Sequence, residues 1–130
     1  MDYKNRHYRS KGEYRIADFL DSSDIKFKYE YPLAVRDNGL VKIWYPDFQL
    51  SDYGTIIEYF GVGGDAAYDG QMAHKIDVYK QAGIDCISML ESSFSGDWES
   101  QIFDRIKQSL ESKIDKFNGM RLKQYSTSTV

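Results

Sequence analysis

Two carboxylates carry the chemical interest of this 130-residue chain: Asp47 in Tyr45-Pro46-Asp47-Phe48, and Glu58 in Thr55-Ile56-Ile57-Glu58-Tyr59-Phe60-Gly61. The run around Glu58 is apolar on both sides, the pattern of a strand covered on both faces. A carboxylate there costs several kcal/mol unless it is paired or holds a metal ion. Between the two runs lies a turn cluster, Ser51-Asp52-Tyr53-Gly54. A hairpin symmetric about it sets Leu50 opposite Thr55, Gln49 opposite Ile56, Phe48 opposite Ile57 and Asp47 opposite Glu58. Opposed residues project from one face, with Cβ atoms roughly 4.5–5.5 Å apart. Two carboxylates at that range repel unless a cation lies between them or one keeps a proton. A slip of one residue would send them to opposite faces.

The elements that must hold this pair follow from periodicity. Ser10 is placed to cap a first helix, whose apolar stripe is Tyr14, Ile16, Ala17, Phe19 and Leu20 and which ends at Asp21-Ser22-Ser23-Asp24. Residues 26–31 alternate polar and aromatic, as a half-exposed strand does, and Pro32 makes that strand an edge or ends it. Arg36-Asp37-Asn38-Gly39 is a turn with a hairpin signal in Asn-Gly. Residues 41–50 read as a second strand and residues 54–60 as a third. The loop Gly61-Val62-Gly63-Gly64-Asp65 lets the backbone approach a ligand, but lacks the Lys-Ser/Thr of a phosphate loop. A second helix is expected over about residues 69–82, with Met72, Ala73, Ile76 and Tyr79 inward and Gly83 as its cap. Residues 84–90 form a fourth strand, parallel to the third. Trp98, Ile102, Phe103, Ile106, Leu110, Ile114 and Phe117 mark a long amphipathic helix that stops near Asn118-Gly119. The order predicts an α/β (α+β) sandwich with a mixed four-stranded sheet, one domain over residues 1–119, and a polar, disordered tail over residues 120–130.

Composition narrows the setting. A net charge of −3 does not mark an obvious nucleic-acid binder. Yet Lys4, Arg6, Arg9 and Lys11 cluster near the start, interleaved with Tyr3, His7 and Tyr8. Such an arm either follows a phosphate backbone or is a solvated terminus. The single cysteine, Cys86, excludes a disulfide framework and a cysteine zinc site, and its strand-like context makes it a small buried hydrophobe. His7 and His74 lack partners at metal-binding spacing and are expected at the surface. No run is long enough to span a membrane, and the polar, basic first residues are not a secretory signal, so an intracellular (cytoplasmic) setting is expected.

At this point the chain resembles the PD-(D/E)XK nuclease superfamily, the restriction-endonuclease-like fold, whose core runs helix, three-strand meander, helix, strand. Pro46-Asp47 matches the PD, Glu58 the acidic residue on the next strand, and Glu13 the acidic residue that many members place on the first helix. The resemblance covers roughly residues 10–90. It departs where a lysine is expected two residues after Glu58, since Phe60 stands there. Some members carry that lysine on the following helix, which makes Lys75 the candidate. Gln71, Lys75 and Tyr79 follow at successive intervals of four and share a helix face. The run from Tyr68-Asp69-Gly70-Gln71 to Tyr79 also looks like the Gln-x-x-x-Tyr feature of RecB-type nucleases. The resemblance implies a three-layer sandwich and a DNA endonuclease dependent on Mg2+ or Mn2+. Its implied ligands are Asp47, Glu58, Glu13 and the Tyr59 backbone carbonyl, with Lys75 stabilising the phosphate. The small size resembles Holliday-junction resolvases of this fold, which act as homodimers; homing or restriction-type nucleases are rivals.

Each residue has a plainer role available. Ser10-x-x-Glu13 is a capping box that alone explains Glu13. Asp47 could cap a turn, Glu58 and Lys75 could form a structural ion pair, and Tyr79 could be core. The basic residues of the last helix, Arg105, Lys107, Lys113 and Lys116, are mixed with acids and read as a solvated face. Two other classes therefore stand beside the nuclease: a non-catalytic nucleic-acid-binding module of the same fold, and an interaction domain with structural carboxylates.

Overall fold

A computed structural model describes the backbone of residues 8–128 and the side chains of residues 8–120. Helix α1 spans Lys11–Ser22, and the Ser10 hydroxyl caps it by accepting the Glu13 N–H at 3.1 Å, a contact worth about 1 kcal/mol. Strands β1 (Lys28–Tyr29), β2 (Leu33–Asp37), β3 (Leu40–Trp44), β4 (Phe48–Leu50) and β5 (Thr55–Tyr59) follow. Helix α2 (Ala66–Gln81), strand β6 (Asp85–Met89) and helix α3 (Trp98–Ser128) complete the order. The main sheet runs β1-β4-β5-β6, with β6 parallel to β5 and the other pairs antiparallel. Strands β2 and β3 form a separate hairpin.

The helices cover both faces of the mixed sheet, giving three layers. One face packs Phe48, Leu50, Ile57, Ile87 and Met89 against Ile16 and Leu20 of α1 and Trp98, Ile102 and Ile106 of α3. The other packs Ile56 and Cys86 against Val78 and Tyr79 of α2 and Val35 of the hairpin. Burying each large apolar side chain contributes about 1.5–3 kcal/mol. Side chains alternate along a strand, so Glu58 shares the face of Ile56 and looks toward α2. Cys86 is buried there as expected, and burial pushes its thiol up to about 12.

Four sequence expectations are corrected. The strand expected over residues 41–50 is broken at Tyr45-Pro46-Asp47 into β3 and β4, because Pro46 has no N–H to give a ladder. The first meander strand shrinks to Lys28–Tyr29 and pairs with β4, so the β2–β3 hairpin is an insertion between the first two meander strands. Helix α2 starts before residue 69, capped by Asp65 on the Ala67 N–H at 3.2 Å, and leaves Ala73 exposed. Helix α3 runs past the stop expected at Asn118-Gly119 and ends at Ser128. A helical glycine costs about 1 kcal/mol but stops a helix only where the chain turns left-handed, and Met120, Arg121, Leu122 and Lys123 are good helix formers. The apolar stripe of α3 leaves the core after Leu110, so Ile114 and Phe117 are exposed; Phe103 is about half exposed but meets Phe19 edge-on at 5.3 Å.

Candidate active site

The β4–β5 ladder pairs Leu50 with Thr55, Gln49 with Ile56 and Phe48 with Ile57, the register read from the turn. One step further the side chains take over from the backbone. The Asp47 N–H donates to Glu58 Oε1 at 2.9 Å, and the Tyr59 N–H donates to Asp47 Oδ2 at 2.7 Å. The break at Pro46 is what frees these groups for reciprocal pairing. The two carboxylates are thus fixed side by side at the end of the ladder.

Glu58 is 2% exposed. Its Oε2 accepts from the Tyr79 hydroxyl at 3.2 Å and lies 3.7 Å from Lys75 Nζ, an ion-pair contact too long for a hydrogen bond. Tyr79 is fully buried and stands edge-on to Trp44, with ring centroids 5.5 Å apart. Burial, then the charge of Glu58, raises its phenol well above the ordinary range, so the hydroxyl stays a donor. Asp47 is pushed up to about 7 by burial first and the Glu58 charge second, against the lowering effect of the Tyr59 N–H.

A cavity of about 590 Å³ opens over the pair. Asp47, Glu58, Lys75, Gln71 and Arg9 line it, together with Tyr45 and Tyr68. Gln71 and Lys75 thus reach the cavity from the α2 face shared with Tyr79. Tyr68 received no role from the sequence. Its hydroxyl donates to the Phe60 carbonyl at 2.6 Å, and burial followed by the charges of Asp47 and Glu58 raises its phenol. Its place seven residues before Lys75, two helical turns, was the available signal. Phe60 itself is buried and packs edge-on to Tyr68, so it offers the cavity no charge.

The other sequence candidates are distributed differently. Glu13 is buried, accepts the Tyr29 hydroxyl and the Arg9 N–H, and is not part of the cavity lining. Among the described residues no three His, Cys, Asp or Glu side chains gather as a metal-binding cluster, though the charge of Glu13 reaches Asp47 and adds to the rise of its carboxyl. Arg9 lines the cavity with its Nε 3.0 Å from Glu30 Oε2. Lys11 is exposed at the start of α1. Lys4, Arg6 and His7 lie outside the described residues. His74 is half exposed but not alone: its Nε2 is 3.0 Å from Asp37 Oδ1, while Lys42 Nζ is 3.0 Å from Asp37 Oδ2. Their hydrogen bonds, His74's first, hold Asp37 below the usual carboxylate range.

Gly12 explains how Tyr59, beside the pair, is held. A Cβ at Gly12 would fall 2.3 Å from Tyr59 Cζ, so only glycine lets that ring cross α1. The ring ends in a hydrogen bond to Glu91 at 2.6 Å. Burial and then Glu91 raise that phenol to about 12.

Among solved structures, the catalytic domain of the homing endonuclease I-Bth0305I is similar to this chain with a TM-score of 0.48 and 17% identity, over 78% of this chain and 91% of that one. No protein-family model matches the chain, and no curated protein matches it.

Proposed function

We propose that the chain is a divalent-metal-dependent nuclease that hydrolyses phosphodiester bonds of DNA. The observation that carries this reading is the reciprocal clamp of Asp47 and Glu58 under a cavity that also receives Lys75. The donor set fits Mg2+ or Mn2+: two carboxylates are hard oxygen ligands, and their mutual repulsion is relieved by a cation. In an extended residue N–H and C=O leave toward the same edge. The Tyr59 N–H is bound to Asp47, so the Tyr59 carbonyl, the third ligand in this reading, is directed to the same side. A bound ion would supply Lewis-acid polarisation of the phosphate and activation of the attacking water.

The chain's own residues do the positioning. Asp47 N–H and Tyr79 OH orient Glu58 from opposite ends of its carboxylate. Lys75, with its side chain 46% exposed, is anchored by Glu58 yet free to turn toward a phosphate, where its charge stabilises the developing negative charge. Arg9 at the cavity rim adds a phosphate contact, as the basic start of the chain leads one to expect.

The discriminating experiment incubates the protein with plasmid and with a four-way junction, in Mg2+ and in EDTA. Metal-dependent cutting that is lost in Asp47→Asn and Glu58→Gln is the expected result. Absence of cutting with any DNA would remove the nuclease reading. Retained DNA binding would then favour the non-catalytic module, a reading supported by Phe60 at the lysine position. A preference for the junction would identify a resolvase-like specificity.

A further inference from the structure

The β2–β3 hairpin presents an edge that the cavity does not use. Leu40 and Val41 are each 64% exposed and Ile43 is 53% exposed. Among the described residues β3 pairs with β2 alone. The hairpin turns on Asn38 and Gly39, both with positive φ (54° and 76°), the two-residue type I′ turn. That turn makes Asp37↔Leu40 a hydrogen-bonded pair, and antiparallel alternation makes Val35↔Lys42 and Leu33↔Trp44 the next ones. The backbone groups of Leu40, Lys42 and Trp44 are therefore consumed inside the hairpin. Those of Val41 and Ile43 point outward from the free edge.

Apolar edge strands are normally guarded by a charged side chain, most often lysine. Here the lysine of the strand, Lys42, is held on Asp37 at 3.0 Å. Asp37 is buried on the inner face and is fixed in turn by His74 on α2. The guard is turned away from the edge.

We propose that β3 is a dimerisation edge that pairs antiparallel with β3 of a second copy, about a two-fold axis through Lys42. In this register Val41 meets Ile43 of the second copy, twice, and each pair exchanges two backbone hydrogen bonds through the outward groups. Leu40 falls opposite Trp44, adding apolar cross-strand pairs. A two-fold interface requires a self-complementary patch, and this register supplies one. The like-charged pair, Lys42 on Lys42, is muted because each lysine is paired with its own Asp37. Tyr45 follows β3 directly and lines the cavity. The two Tyr45 residues would lie six strand positions apart, on the order of 20 Å at about 3.4 Å each. That is about six base-pair steps of duplex, at about 3.4 Å per step. This spacing alone rests on the nuclease reading; the edge pairing does not.

Sedimentation velocity of the full chain over a dilution series, without nucleic acid, tests the proposal. The wild type is expected to show a monomer–dimer equilibrium. Ile43→Pro removes an outward N–H while sparing every β2–β3 bond, and Val41→Lys places a solvated charge on the edge. Each should weaken dimerisation at least ten-fold, with unchanged circular dichroism and with unchanged melting at dilutions where the wild type is monomeric. A wild type that is monomeric at every concentration would overturn the proposal, as would two folded variants that dimerise as tightly as the wild type. A monomeric wild type whose Ile43→Pro variant binds duplex more weakly would assign the strand to DNA instead. Loss of the nuclease reading would leave the sedimentation result untouched, so the two failures are distinguishable.

Discussion

Asp47→Asn should stabilise the protein at alkaline pH while abolishing the proposed nuclease activity. The Asp47 carboxyl is raised from its ordinary 3.8 to about 7. A raised carboxyl binds its proton more tightly in the folded state, so its effect on stability is unfavourable once it ionises. The penalty is absent below about pH 4, grows as pH rises toward 7, and is complete above it. About three pH units at about 1.36 kcal/mol each set an upper bound of about 4 kcal/mol. The carboxyl opens onto the cavity, where water screens it, so about 2 kcal/mol is the working figure. For a chain of this size that is on the order of 5–10 °C in melting temperature. Asparagine keeps an oxygen for the Tyr59 N–H and carries no charge. Thermal melts of both proteins from pH 5 to pH 9 read the effect. The advantage of the variant should be small at pH 5 and largest at pH 8. Mn2+ should raise the melting temperature of the wild type and leave the variant nearly unmoved. A variant less stable than the wild type at pH 8, or an offset equal at both ends of the range, would refute the reasoning.

Three further outcomes are expected. Lys75→Ala should slow single-turnover cleavage about 100-fold while weakening DNA binding much less, because the proposed mechanism sets its charge on the developing phosphate charge; an unchanged rate would relieve Lys75 of the role. Tyr79→Phe removes the hydroxyl on Glu58 Oε2 and keeps the ring on Trp44, so it should cost about 1 kcal/mol in denaturant titration and lower the cleavage rate less than Lys75→Ala. Gly12→Ala places a methyl where the Tyr59 ring lies and should destabilise the fold by about 1–3 kcal/mol, read in the same titration.

The register of the candidate site was legible because three physical signals agreed: a turn cluster, an apolar run on each side of it, and a carboxylate at an equal offset in each run. The parallel placement of β6 followed from the strand-helix-strand order in the same way. The hairpin turn at Asn38-Gly39 was legible, but not that its hairpin is an insertion, because the break at Pro46 is not a feature of periodicity and periodicity does not reveal which strands pair. Glu13 was legible as an N-terminal helical residue but not as the partner of Tyr29, a contact 16 residues away that only tertiary packing creates. The clasp of Asp37, Lys42 and His74 has the same origin, since its members come from two separate segments. The overrun of α3 shows the opposite limit: a glycine that resembles a stop sits within a longer helix-favouring sequence.

The central claim is that Asp47 and Glu58 form a divalent-metal site, and anomalous diffraction from a crystal soaked in Mn2+ tests it most directly. The expected result is a peak between the two carboxylates, roughly 2.0–2.5 Å from an oxygen of each, that disappears in Glu58→Gln. A saturating soak that leaves this position without a peak, or places Mn2+ elsewhere, would contradict the claim.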